Sequence, residues 1–571
     1  MCGDKYFNAR LLHPSAMSSF RLELSPTRPL QKFPNISRLF PGLRSLYMGD
    51  TSCSQCFHDT MCVPLTYLPS SLERLELSFW EVETWFLTSP SGRPSSNYSS
   101  SPPSIYPFSN ASVAGTCFPH LRTLILNGTS SSRPFRWNLP TLAPNLETLI
   151  LHTAHGISAE HILQLLSSIT ELRLPRNTTI HPWNYHLLPP SLTALQLNDR
   201  IMGSEPPQET SIQEAFRGLP TTLLQIELTW DYRLPMDIAG CLPRSLTSLI
   251  VVSPGSEFTL EWALLLPRQL RILRVLSSEW SVTFPTALLS GLPQQLEVLS
   301  GLNYTTSSTA AHFENLPPTL TELDVVTRGN SSKVDGAELS TRLATLQDLK
   351  KLSFACMITN GKKLVDALPV SLRHLTLHLH LGMSPAPLPS LNFAYLENLE
   401  RIELHFSRSN VGYSVETLPH LDWLTLPQKR LKEVSISGPA VYTAKTLERL
   451  LPKTLTALQF DPYNSHDFFN ALPTTLLSLK IHSFSGPLDE TMVASLPPRL
   501  RCLEMQNVRG FSGSFLASLP RSITSLHVAS SDLMTVSSLK HLPPNLTSLS
   551  CSIGLMQEWQ NSIRKPNVIT I

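Results

Sequence analysis

Charge is scarce in this chain. Of 571 residues, 15% are Asp, Glu, Lys or Arg, against about 25% in ordinary domains. The formal net charge is +2 and the pI about 8.1, so no charge excess points to nucleic acid or to an anionic membrane. No stretch approaches the ~18 to 20 unbroken apolar residues that a membrane span needs. The opening "MCGDKYFNARLLHPSAMSSF" lacks a basic region followed by an apolar run, the mark of a secretory signal. Nine cysteines are odd in number and scattered, so no disulfide framework is expected. These absences predict a reduced, cytoplasmic chain. Eight Asn-x-Ser/Thr sequons, from Asn35 to Asn545, point mildly the other way.

Catalytic signatures are also missing. There is no G-x-S-x-G elbow, no P-loop, no H-E-x-x-H and no G-x-G-x-x-G. The acidic residues are scattered by a repeat and do not pair in a separate, non-repeating segment. The expectation is a chain that is not an enzyme and takes no cofactor.

Proline is what the sequence has in excess, and its 48 copies recur inside one phrase. "LPPSLTALQL" at Leu188 returns as "LPRSLTSLIV" at Leu242, "LPPTLTELDV" at Leu316, "LPVSLRHLTL" at Leu368 and "LPPNLTSLSC" at Leu542. Alignment on the seventh position after the first leucine runs from Leu46, Leu75 and Leu124 through Leu195, Leu249, Leu299, Leu375 and Val434 to Leu549. An earlier degenerate copy is "FRLEL" at Phe20. The commonest spacing, roughly 23 to 24 residues, lies in the range of leucine-rich repeats.

The alternation x-L-x-L-x puts both leucines on one face of a short strand and the x residues on the other. One such strand cannot bury its leucine face alone, whereas parallel stacking of identical units joins the leucines into one core. Short runs before each Leu-Pro, such as "TALLSG", "LVDA", "MVAS" and "HFEN", read as helical or 3-10 returns. Proline ends each return, since it cannot prolong a helix and donates no hydrogen bond. The predicted fold is an α/β repeat solenoid, an arc of about twenty-one repeats over residues 1–571, with a parallel sheet on its concave face and the returns on its convex face.

These residues carry a resemblance to the leucine-rich repeat superfamily. Within it, L-P-x-S-L-T-x-L-x-L is similar to the FNIP-repeat proteins of amoebae, although their Phe-Asn-Gln and Ile-Pro segment is absent here. The shorter Leu-Pro-x repeat of bacterial effectors, some of them ubiquitin ligases, is a second likeness. Its Asn three residues after the strand has one counterpart, Asn177. The resemblance implies a non-catalytic scaffold for a protein partner. Alternatives are the recognition arm of a ubiquitin ligase, which needs an F-box or catalytic Cys domain, and an extracellular adhesin or receptor ectodomain, supported by the sequons.

The period breaks in two places. Between Leu75 and Leu124 the gap doubles and holds a Ser/Pro-rich run, so residues 87–116 are expected to form a disordered insertion. Between Ile402 and Val434 two phrases crowd together; "LPQKRLKEVSI" is taken as the strand and "LPHLDWLTL" as part of the return. Residues 555–571, "LMQEWQNSIRKPNVITI", are expected to cap the array.

Three sets of residues invite a site. Cys53, Cys56, His58 and Cys62 offer four thiolate or imidazole donors, enough for tetrahedral zinc, but the spacing is tighter than in usual zinc fingers and ordinary reduced loop thiols are the favoured reading. His374, His378 and His405 point to the concave face, and neighbouring strands roughly 4.8 Å apart would let two imidazoles share a metal or simply decorate the surface. Third, the outward residues from Leu249 to Val326 include Ile250, Val252, Ile272, Leu276, Val298, Leu302 and Val326, an expected apolar patch for a partner. The remaining outward positions mix both signs without a basic stripe or aromatic ladder, so nucleic acid is not expected.

The Ser/Pro-rich run supplies a first test. Limited proteolysis of the native protein should cut first between Ser89 and Ser112, and deleting that segment should leave the unfolding midpoint nearly unchanged. A large drop on deletion would show that it packs on the repeats.

Overall fold

A computed structural model describes residues 19–24, 36–50, 68–79, 118–128, 143–152, 165, 167–174, 182–199, 209–230, 237–252, 258–276, 288–303, 310–326, 336–381, 389–408, 421–440, 443–462, 467–482, 490–506, 513–528, 541–546 and 548–551. The Cys53–Cys62 cluster, the 87–116 insertion and the 555–571 cap lie outside the described residues. The chain forms two compact units, residues 1–257 with 261–282 and residues 258–260 with 283–571.

In the first unit the strands are β1 (Ser19–Leu24), β2 (Ser45–Asp50), β3 (Arg74–Phe79), β4 (Thr123–Gly128), β5 (Thr148–Leu151), β6 (Glu171–Arg173), β7 (Ala194–Asp199), β8 (Gln225–Trp230), β9 (Ser248–Val252) and β10 (Ile272–Leu276). Each pairs in parallel with its neighbour in sequence. The second unit holds β11 (Val298–Asn303), β12 (Glu322–Val326), β13 (Lys351–Met357), β14 (His374–Leu381), β15 (Leu391–Asn392), β16 (Arg401–Arg408), β17 (Leu424–Thr425), β18 (Glu433–Ala440), β19 (Ala457–Pro462), β20 (Ser478–His482), β21 (Cys502–Gln506), β22 (Ser525–Val528) and β23 (Ser548–Cys551). There too the main strands pair in chain order, while β15 and β17 form a separate two-stranded ladder. "LPQKRLKEVSI" is accordingly a main-sheet strand, and "LPHLDWLTL" holds a 3-10 turn (Leu421–Trp423) and β17.

Register follows the repeat. Phe20 faces Leu46, Leu46 faces Leu75, and within the second unit Leu375 faces Ile402, which faces Val434. Every residue of the aligned column from Leu46 to Leu526 is at most 3% exposed. Burying one such side chain is worth roughly 1.5–3 kcal/mol, so the leucine column is the main apolar support of each coil. This is the leucine-rich-repeat coil.

The returns match their runs: helices at Leu288–Gly291, Ile358–Asp366 and Glu490–Ala494, and a 3-10 turn at Ala310–Asn315. The leucine before proline closes the return, as when the Leu188 amide donates to the Tyr185 carbonyl at 3.2 Å. Proline then begins a turn, its carbonyl accepting from the leucine three residues on: Leu192 to Pro189 at 3.1 Å, Leu372 to Pro369 at 3.2 Å. Leu-Pro is therefore a hinge between return and strand.

The fourth position of the phrase has a role that the repeat pattern leaves unassigned. Its hydroxyl donates to carbonyls of the preceding coil: Ser71 to Leu43 at 2.8 Å, Ser191 to Ile169 at 2.8 Å, Thr319 to Leu296 at 2.7 Å, Ser371 to Leu349 at 2.7 Å, Thr475 to Leu455 at 2.8 Å and Ser522 to Leu500 at 2.7 Å. Where asparagine stands there, its amide does the same, as with Asn145 to Pro119 at 2.8 Å. The threonine at position six adds to this. The Thr170 carbonyl accepts from the Thr193 amide, the Ala194 amide and the Thr193 hydroxyl.

Two glycines let strands leave the regular register. Gly301 has φ 84° and Gly438 φ 96°, the left-handed region open to glycine. A Cβ at Gly438 would lie 2.0 Å from the Phe406 carbonyl oxygen. Each sits at a register shift, between β11 and β12 and between β18 and β19.

The hydroxyl ladder is directly testable. Ser371→Ala and Ser522→Ala should each cost about 1 kcal/mol in chemical denaturation, while Ser371→Thr should recover most of the loss. Wild-type stability in both alanine variants would show that the ladder contributes nothing.

Candidate functional site

In the first unit the apolar candidates lie on the open face, opposite the leucines. Rows across β8, β9 and β10 read Gln225–Ser248–Ile272, Glu227–Ile250–Arg274 and Thr229–Val252–Leu276. Ile250, Val252 and Ile272 are partly exposed, and Leu276 is 46% exposed. Val252 and Leu276 are in-register neighbours, whereas Ile250 is flanked by Glu227 and Arg274. The apolar surface is thus broken by charge along its middle row.

In the second unit Val298 is 9% exposed and lies opposite Glu322. Strict alternation aims Leu302 outward, but the bulge at Ser300–Gly301 sets Leu302 opposite Val325, which is 1% exposed, and Asn303 opposite Val326. An isolated glycine in a strand pattern is the sequence signal for such a bulge.

The richest chemistry stands on the open face of the second unit. Successive rows read Asp324–Ser353–Thr376–Glu403–Ser435–Gln459–Lys480–Glu504–His527 and Ala355–His378–His405–Ser437. Strand pleating delivers these side chains to one surface because their neighbours are the buried leucines. The His378 and His405 rings are stacked at 4.5 Å with 15° between planes. Imidazole lone pairs lie in the ring plane, so a face-to-face pair does not aim two nitrogens at one ion. The shared-metal arrangement considered for this pair gives way to a stack, and His374 stands exposed in a separate row. Among the described residues no group of three or more His, Cys, Asp or Glu is arranged around a common ion.

His405 has a polar neighbour at each ring nitrogen. Its Nδ1 lies 2.6 Å from Ser437 Oγ, and its Nε2 lies 3.8 Å from Glu403 Oε2. Glu403 also accepts from Arg401 Nε at 2.7 Å and Thr376 Oγ1 at 3.2 Å. Hydrogen bonding from His405, joined by Arg401 and Thr376, holds the Glu403 carboxyl at about 2 against the opposing effect of burial. Burial pushes the His378 imidazole down, with the adjoining His405 adding to this, and burial does the same to His380. Asp461 accepts from the Gly438 amide at 3.0 Å, yet burial raises its carboxyl. Further along, Lys480 Nζ lies 2.9 Å from Glu504 Oε2 and holds that carboxyl below its ordinary value. His380 pairs with Ser407 at 2.6 Å and His482 with Gln506 at 3.0 Å, while both Nε2 atoms are buried without a partner.

Ser437, His405 and Glu403 have the order of nucleophile, base and orienting acid. The adjoining Gly438 amide donates to Asp461 and is not free to serve as an oxyanion donor. Sequence reasoning found the His378–His405 adjacency from the register. It missed Ser437, which the register sets opposite His405, and Asp461, which meets the Gly438 amide at the bulge.

Free cysteines among the described residues are Cys241, buried Cys356 and exposed Cys502. Burial pushes the Cys356 thiol up to about 12, so it stays protonated within the core. No described helix is long and apolar enough to cross a membrane.

No family model matches the chain, and no curated protein matches it. Among solved structures, it is similar to CroV588, a circular leucine-rich-repeat protein, with 21% identity, a TM-score of 0.34 and coverage of 93% of this chain. The chain spans 65% of that protein's length. It is also similar to TLR13 in a complex with ssRNA13, with 16% identity, a TM-score of 0.42 and coverage of 93% of this chain and 77% of that one. The fold assignment rests on the register of this chain's own strands.

The titrating groups set a pH dependence. His378 and His380 resist protonation when folded, so their contribution is full above 6.5 and is lost as pH falls through their lowered values. Glu403 contributes fully above 4.5 and loses its share as pH falls toward 2, a loss of roughly 2–3 kcal/mol. Unfolding midpoints between pH 7 and 2.5 should therefore fall in two stages. Glu403→Gln should flatten the second stage alone; an unchanged second stage would detach it from Glu403.

Proposed function

We propose that this chain is a non-catalytic, intracellular scaffold that binds a protein partner on the open face of its sheet. The observation that supports the reading is the side-by-side placement of Val252 and half-exposed Leu276 on the open face of β9 and β10. Their strands' inward residues, Leu249, Val251, Leu273 and Val275, are at most 2% exposed, so the coil has no need of the outward pair for its own core. An apolar pair left beside Ile272 and Ile250 is surface for another molecule. Both signs of charge accompany it in Glu227 and Arg274, a mixture that suits a protein surface better than a phosphate backbone. The commitment of the Gly438 amide to Asp461 supports a non-catalytic role. The L-P-x-S-L-T phrase supports a subfamily nearest the FNIP-repeat proteins.

The test uses an affinity capture with the full chain and a pair of readouts. Ile272→Asp and Leu276→Asp should each abolish recovery of the partner that wild type retains. Their unfolding midpoints should stay within a few degrees, because exposed strand positions tolerate charge. If either residue were core, an unpaired buried charge would cost several kcal/mol and the midpoint would fall. Retained recovery with an intact fold would remove this face of the first unit from the function.

A further inference from the structure

We propose that the open face of the second unit docks an extended protein segment carrying spaced Lys or Arg side chains, and that its histidines release that segment under mild acid. The proposal rests on the reading of the sheet face as a partner surface and names the chemistry of one such partner.

Charge on this face is polarised along the strand direction. At the entry edge, just before the strands begin, stand Lys350, Arg373, Lys432 and Arg501, with Glu297 and Glu400 among them. In the first row of strand residues, Lys351 faces Glu322 and Arg401 sits between two carboxylates, 2.7 Å from Glu403 and 3.2 Å from Glu433. Toward the exit ends the balance reverses. Asp324, Glu403, Asp461 and Glu504 stand there; in the rows of Asp324 and His378 the described Lys or Arg is Lys480, already bound to Glu504, and Arg408 ends β16 beyond them. Asp324 accepts from Ser300 Oγ at 2.8 Å and Asp461 from the Gly438 amide at 3.0 Å, and among the described residues neither is bridged to a cationic side chain. The exit half therefore carries more carboxylates than ammonium or guanidinium groups.

Spacing defines the guest. Asp324 and Glu403 lie three strands apart, and Glu403 and Glu504 four strands apart. At roughly 4.8 Å per strand the gaps are about 14 and 19 Å, which an extended segment at roughly 3.3 Å per residue covers in about four to six residues. Cations at that interval, running across the strands, would meet each carboxylate in turn, sharing Glu403 with Arg401 and Glu504 with Lys480.

Histidine supplies the release. His378, His380, His405 and His482 all lie on this exit half, with His527 in the row beside it. The groups facing them are Asp324 and Glu403 near His378, Glu403 and Asp461 near His405, and Asp461 near His482. Protonation of His378 and His380 would weaken the acidity of this surface and loosen its hold on a basic guest. Because burial lowers both groups, the release falls below pH 6.5.

The test measures binding of a labelled peptide with arginine at every fifth position in a Gly/Ser background, together with a glutamate counterpart, to the full chain. The arginine peptide should bind at about pH 7.5, weaken with added salt, and lose at least tenfold in affinity at about pH 5.5. Circular dichroism at both values should show the fold intact. Asp324→Asn and Glu504→Gln should each weaken binding about threefold at the higher pH, whereas neutralising exposed carboxylates on the returns, Glu314→Gln and Glu448→Gln, should not. The double variant His378→Gln, His380→Gln should keep more of its affinity in acid. Four results would overturn the proposal: no arginine-peptide binding, equal loss in the return variants, tighter glutamate-peptide binding at the higher pH, or pH-independent binding. If the arginine peptide fails while Leu276→Asp still abolishes partner capture, the scaffold reading stands and this one falls.

Discussion

The fold depends on hydrogen bonds from each coil to the carbonyls of the coil before it. A single strand of this repeat offers a leucine row and a line of unpaired amides, neither of which is satisfied alone. Stacking answers both needs at once. The amides of positions six and seven converge on one carbonyl, as Thr193 and Ala194 do on Thr170, and the hydroxyl of position four clasps carbonyls of the neighbouring turn. A buried carbonyl without a donor costs about 1–3 kcal/mol, so these polar residues are as much a part of the repeat as its leucines. The scarcity of charge has its cause here, because Ser, Thr and Asn occupy places that a surface would otherwise give to ions.

With the inward face fixed by leucine, the outward face is free to differ between coils. In the first unit it carries Val252 and Leu276 beside charged neighbours. In the second it carries imidazoles, carboxylates and hydroxyls linked through Ser437, His405 and Glu403. Glycine marks the places where the pattern is bent. Gly438 brings the chain within reach of Asp461, and no larger residue fits against the Phe406 carbonyl.

Much of the coil was legible from the phrase itself. Spacing and alternation placed Leu375, Ile402 and Val434 in one column, and their strands pair in that register. The crowded phrases near Leu418 also resolved as the alternation required. Ser371 and Thr475 were not legible, because a hydroxyl in a polar phrase looks like ordinary surface until the preceding coil is beside it. Leu302 shows the limit of alternation: a one-residue bulge sets it opposite Val325, and only Gly301 signalled the shift. At the candidate site the His378–His405 neighbourhood came from register. Their stacking depends on rotamers and the Gly438–Asp461 contact on a bulge, neither of which periodicity encodes.

Residue-resolved amide hydrogen exchange on the intact protein tests the central claim most directly. If inter-coil hydrogen bonds carry the structure, the amides of Thr193, Ala194, Arg373, His374, Arg501 and Cys502, which donate to the preceding coil, should be among the most protected, more so than amides within the short returns. Exchange of these amides at the rate of an unstructured chain, with protection confined to the returns, would contradict the account.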